Sequence, residues 1–404
     1  MEIQLSNRAL MIKEAAMATM GRLSRELKAK GKDVITLSLG EPDFNTPDFI
    51  KEAAKKAIDD NYSHYSPIPG YPDLREAVCK KFKRDNGLSY QPNQVVISTG
   101  AKNSIMNVIF ALINKGDEVI LPAPFWATYY DMILLAGGVP KIIHTNISTG
   151  FKINAEMLEE AITSKTKLLI FNSPNNPGGT FYNEAEVEEL ARVLEKHESL
   201  FIISDEVYEF FIYSGEKQKS FACFPELYPR TIVVNGVSKS FAMTGWRIGY
   251  IGAHPKIARA CDKIQGQITS GTNSVAQRAA LTAIAREPSE VKEIELMRKK
   301  FRQRRDFVFS KLKNIPGFNT ILPEGAFYIF PDISAYFGKT IKGKEINTST
   351  EMAMLLLNEA LVSTTPGDAF GVPECLRISY ANSMEELEKA MERINNLLGG
   401  SEDE

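Results

Sequence analysis

From about residue 95 to 252 the chain alternates short apolar runs rich in β-branched residues with longer amphipathic segments, and no other feature narrows its fold so far. The runs are VVIS at 95, EVIL at 118, LLIFN at 168, LFIISD at 200, TIVVN at 231 and RIGYIG at 247. Strands apolar along their whole length need cover on both faces, and helix-length connectors supply it. The pattern therefore predicts an α/β fold around a largely parallel sheet. One connector shows the logic: Asn183 is an N-cap for a helix from Glu184 to Lys196, which gathers Val187, Leu190, Ala191 and Leu194 on one face.

The flanks divide the chain. Thr46-Pro47 reads as a cap followed by Pro at the first helical position, opening a helix that turns Phe49, Ile50, Ala53, Ala54, Ala57 and Ile58 toward a core. A larger domain is expected over residues 46–285. Beyond it a long helix from about Ser289 carries Ile294, Met297, Phe301, Val308 and Leu312 at helical spacing and stops before Pro316-Gly317. Short strands at Phe327 to Phe330 and Leu376 to Ser379 follow, and the capping-box sequence Ser383 to Glu386 opens a last helix to about Leu398. With an N-terminal helix around Met17 to Lys28, these pieces form a smaller domain from residues 1–45 and 286–398, leaving 399–404 as a disordered acidic tail. The basic cluster Arg298, Lys299, Lys300, Arg302, Arg304 and Arg305 shares the long helix with its apolar stripe and is read as a solvated face.

The 404 residues carry 48 Lys plus Arg against 50 Asp plus Glu, so no general electrostatic attraction draws the chain to nucleic acid or an anionic membrane. A small-molecule partner is expected. Cys79, Cys223, Cys261 and Cys375 are too far apart for a zinc knuckle or CxxC, and His64, His144, His197 and His254 are equally scattered. That spacing argues for reduced thiols, a cytoplasmic location and no protein-bound metal. No run of about 18 apolar residues offers a membrane span.

The chemistry concentrates at strand ends. In TIVVNGVSKSFAMTGWRIGY a buried strand gives way to a small-residue loop carrying Lys239. Lysine forms Schiff bases with aldehydes once desolvation has lowered its pKa. Ser98-Thr99-Gly100-Ala101-Lys102 joins a strand to a helix, where backbone N–H groups suit a phosphate. Asn172 to Gly179 forms an amide-rich turn after another strand, and LFIISDEVY ends in Asp205 with Tyr208 three residues on.

Together SPNNPGG, SDEVY, SKSFAMTGWRIG and LRISYA resemble the class I pyridoxal-phosphate aminotransferases of fold type I, most closely the aspartate aminotransferase subgroup. The likeness runs from Gly40-Glu41-Pro42-Asp43-Phe44 to Arg377-Ile378-Ser379-Tyr380-Ala381. It implies a mostly parallel seven-stranded sheet between helices, a smaller α+β domain, and a homodimer with shared active sites. On that resemblance Lys239 would hold the cofactor and shuttle the substrate α-proton, and Asp205 would pair with the pyridinium nitrogen. Asn176 and Tyr208 would hydrogen-bond its phenolic oxygen, and Trp126 would stack on its ring. Gly100, Ala101, Lys102, Ser238 and Arg247 would hold the phosphate, with Tyr65 reaching it from the other subunit. Arg377 would grip the substrate α-carboxylate, assisted by the N–H of Gly40, and Lys102 would meet a second carboxylate.

Two departures bear on the substrate. The subgroup's hydroxyl residues near the first helix are absent from Lys13-Glu14-Ala15-Ala16-Met17, and Gly178 stands where the family commonly has Thr. The expected reaction moves an amino group from L-aspartate to 2-oxoglutarate. An aromatic, prephenate or broad-range aminotransferase, a carbon–sulfur β-lyase, and a non-catalytic cofactor sensor are the alternatives. The sensor would require a DNA-binding domain for which residues 1–45 are too short.

Overall fold

The computed structural model describes residues 3–12, 14 and 16–399. Lys13, Ala15, the side chain of Met17 and the tail 400–404 lie outside the described residues, and with them most of the departure at the first helix.

A seven-stranded sheet forms the centre, in the spatial order Val95–Thr99, Ile248–Gly252, Thr231–Gly236, Phe201–Asp205, Thr166–Asn172, Glu118–Pro122, Val139–Ile143. Ile248–Gly252 runs antiparallel to both of its neighbours, and the other adjacent pairs are parallel. Alternate side chains serve the two faces, as strand geometry requires. Val96, Leu121, Ile203 and Val234 pack under the helices Ala101–Leu112, Thr128–Leu135 and Pro255–Ile268. Val95, Ile97 and Val233 meet Asp48–Asp59, Pro72–Asn86 and Ser274–Ile284, while Ile120, Leu169 and Ile202 meet Glu184–Glu195. A separate apolar core joins the chain ends, bringing Met20 and Leu37 against Met297, Phe301, Ile329, Leu376 and Ile394. Among the described residues no helix is long and apolar enough to cross a membrane.

All six apolar runs are strands, and the seventh, Val139–Ile143, is an edge strand whose residues are mostly half-exposed and include Pro140. Those traits hide an edge strand from a search for apolar runs. Asn183 caps its helix through Oδ1, which accepts from Glu186 N–H at 3.0 Å, and the Glu186 carboxylate accepts the Asn183 N–H at 2.8 Å. Three expectations need correction. Pro47 is the N-cap residue of Asp48–Asp59, and the Thr46 hydroxyl donates 196 residues away to the Ala242 carbonyl. On that helix Ile50, Ala54 and Ala57 are buried, but Ile58 is 63% exposed. The long helix spans Lys292–Leu312, with its predicted stripe buried, but Arg304 and Arg305 are buried too. Arg304 forks onto both Asp43 carboxylate oxygens at 2.6 and 2.8 Å, and Arg305 donates to the Pro323 carbonyl and Asp306. The charges of those two residues tie the helix to neighbouring loops, which a count of basic residues along one helix cannot reveal.

Candidate active site

Parallel strands deliver their carboxyl ends to one edge, where open α/β sheets bind ligands. Thr99 leads into Gly100, Asn172 into the SPNNPGG turn, Asp205 ends its strand, and Gly236 leads through Ser238 to Lys239. Because Ile248–Gly252 runs the opposite way, Arg247 enters at the same edge. A cavity of about 330 Å³ opens there. Lys239, Asp205, Tyr208 and Asn176 line it, as do Trp126, Ser238, Arg247, Ala101 and Lys102. The segment from the opposite chain end brings Gly40 and Arg377 to the same space.

The Lys239 amine donates to the Gly40 carbonyl at 2.6 Å and lies 5.7 Å from the Tyr208 ring centre. Gly40 thus meets Lys239 with its carbonyl, a contact the sequence did not anticipate. Burial draws the Lys239 amine down to about 8; the Glu41 carboxylate opposes the shift and the Arg377 guanidinium adds to it. Near neutral pH about a tenth of such an amine is unprotonated and available as nucleophile and base, far more than for an ordinary lysine. Asp205 responds the other way: burial pushes its carboxyl up to about 6, opposed by the Tyr129 hydroxyl and Val207 N–H that donate to it at 2.5 and 3.4 Å. A cation at ring depth would restore its charge.

Arg377 is fully buried. Its Nη1 donates to Asn176 Oδ1 at 3.1 Å and its Nη2 to the Ser38 carbonyl at 2.5 Å, while Nε has no hydrogen-bond partner among the described residues. A buried guanidinium that lines a cavity and has no carboxylate partner among the described residues calls for an anionic ligand. Across the site Lys102 Nζ sits 4.9 Å from the Trp126 ring centre, and burial together with Arg247 draws its pKa down.

Gly100 adopts φ +81°, and a Cβ there would stand 2.3 Å from Arg247 Nη2, so only glycine lets the guanidinium close over the helix start. The Gly100 N–H is already given to the Ser98 carbonyl at 2.7 Å. Free donors at this helix start are therefore Ala101 and Lys102, whose N–H groups have no carbonyl a turn earlier in the helix. At the other departure, a Cβ on Gly178 would come within 3.0 Å of Asn175 Oδ1, which accepts the Gly178 N–H at 2.8 Å. Glycine suits the turn as built.

Tyr65 stands apart from this cavity. It is 97% exposed and borders a surface hollow of about 710 Å³ with Ile58, Tyr62 and His64. Among the cavity residues not singled out in the sequence are Tyr129, Tyr328 and Glu41, whose carboxylate accepts from Thr244 Oγ1 at 2.8 Å. The two tyrosines lie inside a helix and a strand, where an aromatic reads as core, while Glu41 sat within a motif already quoted.

The donor set fits pyridoxal phosphate. An amine for its aldehyde, a carboxylate for its ring nitrogen, an indole face, amide and phenol donors, and a phosphate-sized cluster of N–H, hydroxyl and guanidinium groups all border one space. The family of aminotransferases class I and II matches residues 32–394. The aspartate/prephenate aminotransferase of Cereibacter sphaeroides is 45% identical over 98% of this chain and 99% of its own. The aspartate aminotransferase from Rhizobium meliloti superposes with a TM-score of 0.94 at 38% identity, covering 98% of this chain and 99% of its own. That from Thermus thermophilus with maleate gives 0.91 at 37%, covering 98% and 100%. With a site built for this cofactor and a match along nearly its whole length, the chain belongs to the class I and II aminotransferases and is a pyridoxal-phosphate-dependent transaminase.

Proposed function

We propose that the protein transfers the α-amino group of L-aspartate to 2-oxoglutarate in two half-reactions that use the same cavity. The observation that carries this reading is a pair of cations on its walls, Arg377, buried and with no carboxylate partner among the described residues, and Lys102 beside Trp126. Two cations match the two carboxylates of a four- or five-carbon dicarboxylate. The maleate of the Thermus relative is such a molecule, and the names of the relatives point the same way.

When bound, pyridoxal phosphate supplies an electron sink for the pair left behind by a departing α-proton. Ala101 and Lys102 N–H groups, Ser238 and Arg247 would hold its phosphate, Trp126 its ring face, and Asn176 and Tyr208 its phenolic oxygen. Asp205 would hold a proton on the ring nitrogen. Arg377 would grip the α-carboxylate and so fix which bond at Cα faces Lys239, whose Nζ would take the α-proton and hold it for return. Lys102 admits the side-chain carboxylate.

The reading extends to a cofactor-binding unit of residues 46–285, a smaller unit of residues 1–45 and 286–398, and a cytoplasmic homodimer. The apolar core shared by both chain ends supports the division. Tyr65 and Ile58 support the dimer, since both project from one hollow with 97% and 63% exposure. Four free thiols, including the exposed Cys223, suit a reducing compartment. The Cereibacter relative's name supports prephenate as a second amino acceptor.

The test is a spectrum of the cofactor-loaded enzyme while single donors are added without any oxo acid. Aspartate should bleach the visible band stoichiometrically, leaving the enzyme ready to accept 2-oxoglutarate or prephenate. A response to phenylalanine or alanine but not to aspartate would overturn the donor assignment. Pyruvate and ammonia released without an acceptor would mean a lyase instead.

A further inference from the structure

Tyr328 is fully buried in the short strand Tyr328–Ile329, where Tyr328 pairs with Ser379 of the strand that also carries Arg377. Its ring lies under the Arg377 guanidinium, 4.8 Å from centre to carbon, and its Oη points across the cavity wall to Tyr208 Oη at 2.9 Å. The same hydroxyl presses on Gly40, where a Cβ would come within 2.5 Å of it. The two phenols thus link the strand paired with the one bearing Arg377 to the turn that follows Asp205 and bears Tyr208.

We infer that Tyr328 is a positioning residue for the cofactor's phenolic oxygen, acting through Tyr208 as the first donor of a two-hydroxyl chain. The inference rests on the reading that Tyr208 contacts that oxygen. Each phenol has one proton to give. If Tyr208 donates its own to the cofactor, the 2.9 Å contact can only be made by Tyr328 donating to Tyr208, so the direction of the chain is forced. Burial keeps both hydroxyls protonated, their pKa values raised above the usual phenol range. A hydroxyl that accepts a hydrogen bond becomes a better donor, by roughly 10–30% of the bond it makes. Tyr328 therefore strengthens the hold of Tyr208 on negative charge at the phenolic oxygen. That charge also attracts the proton on Lys239 Nζ once the lysine carries the cofactor. Donors to the oxygen compete for the charge and make the proton easier to lose.

Tyr328→Phe removes the hydroxyl and keeps the ring beneath Arg377. In the cofactor-loaded enzyme it should raise the pH midpoint of the visible absorbance change by about 0.1–0.7 unit, the cooperative share of a charge-assisted hydrogen bond. Tyr208→Phe should raise it further, and the double variant should match Tyr208→Phe alone, because Tyr328 then has nothing to act through. Tyr328→Met serves as a second hydroxyl-free variant, and band intensity per protein reports loading in each. If Tyr208→Phe leaves the midpoint unmoved, the assignment of Tyr208 itself fails. If Tyr208→Phe shifts it while neither Tyr328 variant does, or if the shifts add in the double variant, the relay through Tyr208 is overturned.

Discussion

Replacing Lys102 by Met separates dicarboxylate recognition from catalysis. The substitution keeps the backbone N–H proposed for the phosphate, keeps apolar contact with Trp126, and removes only the charge. Lys102 Nζ has no hydrogen-bonded or carboxylate partner among the described residues; its recorded neighbour is the Trp126 ring at 4.9 Å. Burial and Arg247 make that charge costly to hold, so an incoming side-chain carboxylate gains from both attraction and relief. A hydrogen bond to a charged group is worth about 1.5–3 kcal/mol, and 1.4 kcal/mol is tenfold, so the half-reaction with aspartate should slow roughly 10- to 100-fold in kcat/KM. Alanine or phenylalanine, with no second carboxylate, should change less than about threefold. Single-turnover kinetics without an acceptor are the appropriate assay, because 2-oxoglutarate is itself a dicarboxylate and would blur the comparison. Equal losses for aspartate and alanine would refute the reasoning, since Lys102 would then act on the cofactor and not on the side chain. An unchanged rate with aspartate would refute it as directly.

Lys239→Ala should abolish turnover and prevent borohydride from fixing the cofactor to the protein; retained fixation, seen by mass spectrometry, would mean another lysine is the anchor. In cofactor-free protein Asp205 has its carboxyl pushed from 3.8 to about 6 by burial, so stability is lost as pH rises through that window, by up to about 3 kcal/mol. Asp205→Asn should accordingly unfold at a higher temperature than the parent above pH 6 and lose that advantage near pH 4, while failing to turn over; an advantage independent of pH would contradict the linkage. Ile58→Glu should convert a dimer of two 45.0 kDa chains into monomers with greatly reduced activity, as read by sedimentation, and an active monomer would sink the shared-site proposal.

Most of the sheet was legible because its strands are buried on both faces and carry unbroken apolar runs, whereas Val139–Ile143, half-exposed and bearing Pro140, resembles a loop. Lys239, Asp205 and Asn176 stood out because each lies at or within four residues of the end of a buried strand and because the motifs around them together resemble one family. Tyr129 and Tyr328 did not, for their rings satisfy the same apolar periodicity as core residues and only their hydroxyl partners, 76 and 120 residues distant, mark them as part of the site. Thr46 shows the converse error. A threonine before Pro-Asp is a good cap on local grounds, yet a carbonyl from Ala242 takes the hydroxyl instead. Local rules find what the backbone needs nearby and are blind to contacts that close only in the finished fold.

Residues 38–41 are such a contact. Within four residues the chain offers the Ser38 carbonyl to Arg377, the Gly40 carbonyl to Lys239 and the Glu41 carboxylate to Thr244, across 339, 199 and 203 residues of sequence. On the ribosome this segment emerges well before the lysine loop, and its contact with Arg377 must wait for the 339 residues that separate that arginine from Ser38. A polypeptide broken off before residue 376 can contain the whole sheet and Lys239 and still lack the closing seam. Such a fragment carries every side chain proposed for the cofactor and lacks Arg377, so turnover, and not cofactor retention alone, reports the finished seam.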